Sequence, residues 1–154
     1  MNDDESYMQR CLVLARQALS RGEVPVGAVL VGEGRVLAEA EEATRTRHDL
    51  TAHAEARAVV AACGAAHALT LPGTTLYSTV EPCLLCGCVA RAAGVARVVY
   101  GVAAGQLGAC SSSLPLLREA AVPGWSAPPD VTSGVLADEC QALLDEYRAR
   151  RPRP

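Results

Sequence analysis

Apolar positions along the chain recur at helical spacing in some segments and run as short β-branched blocks in others, and this pattern predicts the elements. Residues 4–21, "DESYMQRCLVLARQALSR", place apolar side chains on one face of an amphipathic helix, and Gly22 supplies the stop. "VPVGAVLV" from Val24 and "RVLAEAEE" from Arg35 flank the turn "GEG", which predicts an antiparallel hairpin. A second helix is expected from Thr51 to Cys63, and "TTLYSTVE", Thr74 to Glu81, reads as a strand. "PCLLCGCVARAAG" predicts a helix opened by Pro82 at its first position and closed by Gly94. "ARVVYGV" is nearly continuously apolar, as a buried parallel strand should be. A Gly- and Ser-rich loop from Ala103 to Ser113 follows. A short helix near Leu114 to Ala121, a strand around Val131 to Val135 and a helix from Leu136 to Arg150 complete the reading. No repeat or linker interrupts the pattern, so it predicts one α/β domain over residues 1–154, a mixed sheet with helices on both faces.

Composition refines this picture. A chain of 154 residues can bury a core without disulfides. With four Tyr, one Trp and no Phe, that core must be built from Ala, Val and Leu. The net charge is −3, and the one basic cluster is the tail "YRARRPRP", Tyr147 to Pro154. Phosphate-gripping proteins usually carry a basic stripe, and this footprint is thin. The tail therefore reads as arginines complementing the dipole of a terminal helix in preference to a nucleic-acid arm. The opening "MNDDESYMQR" is acidic and polar, and no apolar run approaches a membrane span. A cytoplasmic protein with no membrane partner is expected. In such a reducing compartment the seven cysteines are thiols or metal ligands and not a disulfide framework.

Four residues carry the candidate chemistry. "TAHAEARAVV" sets His53 and Glu55 at the start of one predicted helix, and "PCLLC" sets Cys83 and Cys86 at the start of another, three residues apart on one face. A helix start favours negative charge, so both cysteines are placed to be thiolates. One nitrogen and two sulfurs are a ligand set suited to zinc. Three protein ligands leave a fourth position for water, which zinc ionises near neutral pH to a hydroxide nucleophile. Glu55 beside the metal could take that proton and return it to a leaving nitrogen. His-x-Glu followed by Pro-Cys-x-x-Cys is the signature of zinc-dependent nucleobase deaminases.

On "HAE" and "PCLLC" the chain resembles the cytidine and deoxycytidylate deaminase superfamily, and within it the bacterial tRNA adenosine deaminase and guanine deaminase-like branch. The resemblance runs from "GEVPVGAVLV" through "DLTAHAE" and "LYSTVEPCLLC" to "GVLADECQALLDEYRARR". It implies a three-layer α/β/α sandwich with a central mixed five-stranded sheet and a homodimer. It also implies zinc held by His53, Cys83 and Cys86, with Glu55 as the proton shuttle. Attack on an amino-bearing ring carbon would then release ammonia. Glu42, Ala54, Val26, Glu81 and Pro82 are the positions expected to bind substrate.

Several positions depart from the tRNA branch. Its usual Asn-Arg pair before the histidine is Glu42 and Ala43 here. A glutamate only accepts hydrogen bonds, so a pocket using Glu42 would favour substrates rich in donors; alternatively Glu42 points to solvent at a strand end. Leu50 replaces a proline, Ala104 and Gln106 replace an acidic residue and a lysine, and "PGWSAPPDV" replaces a stretch that reaches RNA. These changes lead to the expectation of a small-molecule substrate, a free nucleobase, nucleoside or related amino-heterocycle, with tRNA disfavoured. Deamination of a tRNA wobble adenosine is the alternative. A catalytically silent zinc scaffold ranks lower, because it has no use for Glu55, and a "CLLC" redox dithiol lowest, because it needs neither His nor Glu. His48 and His67 are expected at the surface, and Cys11, Cys63, Cys88, Cys110 and Cys140 as small core residues, with the Cys110 loop near the site. Trp125 is expected to fill a gap in the core or dimer interface in preference to stacking on a base.

Overall fold

Asn2 starts the first helix: its side chain accepts from the Glu5 amide at 2.8 Å while the Glu5 carboxylate accepts from the Asn2 amide, a reciprocal capping box. In this computed structural model, which describes residues 1–120 and 122–151, that helix is α1, Asp3–Ser20. The hairpin follows as β1 (Gly27–Gly32) and β2 (Arg35–Glu41), closed by Glu33 and Gly34, both at positive φ, as a tight two-residue connection demands. Then come a four-residue helix α2 (Thr44–Arg47), α3 (Ala54–Ala66), β3 (Thr74–Val80), α4 (Leu84–Ala92) and β4 (Arg97–Val102). A 3₁₀ turn at Gly105–Leu107, β5 (Asp130–Ser133) and α5 (Ala137–Arg150) complete the order.

The five strands form one sheet in the order β2-β1-β3-β4-β5. β1 is antiparallel to β2 and β3, whereas β3, β4 and β5 run parallel, so the sheet is mixed as expected. Alternate side chains of each strand feed two apolar layers. Leu30, Leu76 and Val98 pack with Ala58, Val59 and Ala62 of α3 and Ala90 of α4. Val29, Tyr77 and Val99 pack with Met8, Cys11 and Leu12 of α1 and Cys140 and Leu143 of α5. Helices thus cover both faces, giving the α/β/α layering, and the core is built from the Ala, Val and Leu that the composition required. Gly27 has no substitute here, because a Cβ would lie 2.1 Å from the Cys11 carbonyl where α1 crosses β1.

Three details differ from the sequence expectations. The segment 114–121 holds only a turn at residues 116–118, and Ala121 lies outside the described residues. Leu117 gives its amide to the Ala109 carbonyl at 2.9 Å, across the loop, so no helical ladder can propagate there. Pro82 precedes α4's N-cap instead of occupying the first helical position: Cys83 is extended (φ −71°, ψ 176°), and its carbonyl accepts from Gly87 at 2.7 Å. The helix α2 has no periodic signal, and Glu23 creates it. This fully buried carboxylate accepts from the amides of Arg45 (3.2 Å) and Thr46 (2.6 Å) and from the Thr46 hydroxyl (2.7 Å). Burial alone would raise the Glu23 pKa, but these donors hold it below the ordinary glutamate range.

The start of α1 is tied to the sheet by charge. Arg97 donates to both Asp4 oxygens at 2.8 Å and to Thr132 at 2.9 Å, and the Tyr77 hydroxyl donates to Asp4 at 2.8 Å. Arg97 holds the Asp4 carboxyl below its ordinary value of 3.8. A depressed carboxyl pKa contributes stability that is complete above the unfolded value and lost as pH falls through the folded one. Asp4→Asn should therefore cost about 1 kcal/mol at neutral pH, a drop of about 2–4 °C in Tm. In acid titrations followed by circular dichroism, the gap between wild type and variant should close below pH ~3.

Candidate zinc centre

The parallel strand β3 ends at Val80 and delivers Glu81, Pro82 and Cys83 to one end of the sheet. The antiparallel register Ala28↔Ser78 and Gly27↔Glu41 brings the start of β1 and the end of β2 to that same end. There α3 and α4 both begin. His53 is the N-cap of α3 (φ −72°, ψ 145°) and Cys83 the N-cap of α4, and neither side chain caps its own helix. Both side chains are thereby free to face one another, and the positive ends of two helix dipoles meet between them.

His53, Cys83 and Cys86 present ligand atoms that all lie within 4.8 Å of one another. The Cys83 sulfur is 3.5 Å from His53 Nδ1. A hydrogen bond from Cys86 and the neighbouring His53 pull the Cys83 thiol down to about 4 against the opposing effect of burial. The same interactions displace their partners: the Cys83 hydrogen bond raises His53 to about 9 and, with burial, drives Cys86 well up. One preformed thiolate, a second sulfur and an imidazole at this separation fit a zinc ion, whose binding would displace the remaining protons. Among the described residues no other cluster of three such groups forms.

Glu55 stands beside this trio, 4 % exposed. Ser78 donates to its Oε1 at 2.9 Å, leaving Oε2 on the ligand side, 3.5 Å from the Cys86 sulfur. Burial pushes its carboxyl up to about 7 despite the Ser78 bond. A carboxylate fixed on one oxygen and poised near neutrality on the other can both take and return a proton.

The remaining predicted residues divide by what they touch. Glu42 is 7 % exposed, not solvated; burial raises its carboxyl pKa, opposed by Thr44, His53 and the Ala54 amide around it. Ala54 is fully buried in the first turn of α3. Val26 is buried, and its carbonyl accepts from the Glu42 amide at 2.9 Å. Pro82 is buried and accepts from Ala109 at 2.9 Å. The Glu81 carboxylate turns to the 104–111 loop, accepting from the amides of Ala104 (2.8 Å), Cys110 and Ser111 (2.7 Å each) and the Ser111 hydroxyl (2.6 Å). That loop pairs Gly108 with Cys83 in an isolated bridge, so Glu81 fixes the wall beside a ligand. A Cβ at Gly108 would sit 2.3 Å from the Glu81 carboxyl, which is why glycine is needed there.

Sequence reasoning missed two supports. Arg91, 2 % exposed, donates to the carbonyls of Leu116 and Glu119 (2.7 Å each) and Ser126 (3.1 Å) and lies 5.6 Å from the ring of the half-buried Trp125. Arg57 reaches the Glu41 carbonyl next to Glu42. Neither contact has a local spacing that could announce it. His48 and His67 are exposed C-caps at positive φ. Cys11, Cys110 and Cys140 are buried, but Cys88 is exposed and Cys63 half-buried, which corrects their expected core placement. The helical spacing from Cys83 turns Cys88 outward.

Comparison with known proteins agrees with this geometry. Residues 1–102 match the cytidine and deoxycytidylate deaminase zinc-binding region. A tRNA-specific adenosine deaminase of Agrobacterium fabrum is 38% identical over 147 residues, covering 96% of this chain and 95% of that protein. Another, of Bacillus subtilis, is 38% identical over 148 residues, covering 96% and 89%. A structure solved for studies of A-to-I editing by tRNA:A34 deaminases at the wobble position of transfer RNA superposes with a TM-score of 0.84 at 40% identity, over 90% of this chain and 99% of that one. These relatives overturn the expectation of a small-molecule nucleobase or nucleoside substrate with tRNA disfavoured. That expectation leaned on a few loop positions, Glu42, Ala43, Ala104, Gln106 and residues 123–131, whereas the similarity to tRNA-acting enzymes spans nearly the whole chain. The site and this similarity together establish that the chain belongs to the cytidine and deoxycytidylate deaminase family and is a zinc-dependent hydrolytic deaminase.

Proposed function

We propose that this protein is a tRNA adenosine deaminase that converts the wobble adenosine to inosine, acting in the cytoplasm as a single-domain subunit of a homodimer. The observation that carries the reading is the convergence of His53, Cys83, Cys86 and Glu55 in a chain 38% identical to tRNA-specific adenosine deaminases over almost its full length. His53, Cys83 and Cys86 would hold the zinc ion, which when bound supplies a Lewis acid that activates water near neutral pH. Glu55 handles the protons. With Oε1 fixed by Ser78, its Oε2 is oriented to take one proton of the attacking water and pass it to the ring nitrogen, and then to take the second proton from the added hydroxyl and pass it to the amino group, which leaves as ammonia. Glu42 and the Ala54 amide region line the base pocket, where the Glu42 carboxylate accepts from amino or ribose hydroxyl donors. Val26 and Pro82 shape its walls, and Glu81 keeps the 104–111 loop against Cys83.

The dimer reading rests on the outer face of α3 and α4. Val60 (63 % exposed) and Leu85 (39 %) flank a groove lined also by Ala56 and Val89 and by the charged Arg47, Asp49 and Arg57, a mixed surface suited to a second copy. Light scattering should report twice the monomer mass, and Val60→Glu with Leu85→Glu should reduce it to the monomer mass.

Two variants test the chemistry on an anticodon stem-loop carrying adenosine at the wobble position, with inosine measured by nucleoside mass spectrometry. Glu55→Gln should keep stoichiometric zinc and the wild-type Tm while losing at least 10³-fold in rate, because proton transfer and its orientation are lost together. Cys83→Ala should lose zinc and activity together. Full inosine formation by Glu55→Gln would contradict the mechanism.

A further inference from the structure

Among the described residues Arg91 is the largest fully buried side chain, and neither zinc binding nor proton transfer uses it. An arginine in an apolar layer gives up its hydration, a cost offset only where its donors find partners. Here Nη1 donates to the carbonyls of Leu116 and Glu119 at 2.7 Å each and Nη2 to that of Ser126 at 3.1 Å, while the buried Nε has no hydrogen-bond partner among the described residues. Trp125 closes over the guanidinium, its ring centroid 5.6 Å away. A methionine would fill much of the same volume without that cost. What the arginine adds is the gathering of three carbonyls that lie outside any helix or strand, a task for its planar fork of donors.

The gathered segment reaches the zinc centre. Gly87 lies one turn before Arg91 on the same face of α4, and a Cβ there would meet Ala109 at 2.7 Å and Leu116 and Leu117 at 3.6 Å, so these residues lie directly on the helix. The peptide group between Leu116 and Leu117 is gripped from both sides: Arg91 donates to its oxygen, and its N–H donates to the Ala109 carbonyl at 2.9 Å. The Ala109 amide in turn donates to the Pro82 carbonyl at 2.9 Å, and Gly108 bridges Cys83. A short series of hydrogen bonds therefore runs from Arg91 to a zinc ligand. Cys86 is set by the helix that contains it, whereas Cys83 sits at the extended N-cap, where its direction depends on the turn leaving β3.

We infer that Arg91 is a positioning residue for the zinc centre: through the Leu116–Leu117 peptide, Ala109 and Gly108 it holds the Pro82–Cys83 turn so that the Cys83 sulfur stays aimed at His53 and Cys86. It acts through this brace and touches neither metal nor substrate. Outer partners that orient a ligand govern how firmly the metal is held, since a ligand free to swing away opens the first step of release. The turnover readout below rests on the RNA reading above, and the zinc readout does not.

The test follows zinc release from the zinc-loaded full chain to an excess of the chelator 4-(2-pyridylazo)resorcinol, at a temperature well below every Tm. Arg91→Met should release zinc about tenfold faster than wild type or more. Leu143→Ala, a cavity on the opposite face of the sheet, controls for lost stability and should release zinc at the wild-type rate despite a lower Tm. Arg91→Lys keeps the charge but offers its donors from one point, cannot span three carbonyls, and should fall between wild type and Arg91→Met. If Arg91→Met is too unstable to purify, Arg91→Lys decides, by releasing zinc faster than both wild type and Leu143→Ala. Release at the wild-type rate, or no faster than in Leu143→Ala, would overturn the proposal. On an anticodon stem-loop, kcat of Arg91→Met should fall about tenfold with KM unchanged, because the ligand geometry is disturbed and the RNA surface is not. A raised KM with unchanged kcat would place the braced loop in substrate binding and overturn the proposal. If the wild type leaves the RNA unmodified, the activity reading fails, and the zinc comparison still decides the role of Arg91.

Discussion

Two helices begin at one point in space, and the rest of the site depends on that meeting. His53 and Cys83 are both N-cap residues, extended in backbone and released from capping, so their side chains can turn toward each other while two helix dipoles point inward. The meeting is possible because β1 runs antiparallel to both β2 and β3, which gathers the end of β3 and the end of β2 at the same end of the sheet. Cys86, the third ligand, and Glu55, each one turn or less into its helix, then fall beside His53 and Cys83 without further design.

Buried carboxylates keep the approach to this point rigid. Glu23 spends its oxygens on the amides of α2, and Glu81 spends its own on the 104–111 loop. Each holds a segment that has no core-facing periodicity, and each is satisfied by several donors, which is what makes a buried carboxylate tolerable. Arg91 plays the matching part for Leu116, Glu119 and Ser126 by donating to their carbonyls. Residues 43–52, 104–120 and 122–126 are thus set by long-range polar anchors while the sheet and the long helices are set by apolar packing.

That division explains what could be read from the sequence. The hairpin announces itself through "GEG", α1 through its apolar spacing and the stop at Gly22, and the ligands through His-x-Glu and Cys-x-x-Cys at helix starts. The short helix α2, the turn at 116–118 and the N-cap role of Cys83 depend on partners distant in sequence and leave no local pattern. Substrate class misled for the same reason. Charge counted along the chain looks sparse, yet Arg45 and the α5 arginines, far apart in sequence, line one groove. Replacements at Glu42, Ala104 and Gln106 read as lost RNA contacts, although a polyanion surface is distributed and tolerates exchanges at single positions.

Substrate choice is the most exposed part of this account, and a direct competition addresses it. The zinc-loaded wild-type protein would be given an anticodon stem-loop with adenosine at the wobble position, free adenosine and free guanine, and kcat/KM compared from inosine formed and ammonia released. The account predicts efficient inosine formation in the RNA and, for the free compounds, turnover lower by several orders of magnitude. Comparable or faster deamination of guanine or adenosine, with the RNA untouched, would contradict it.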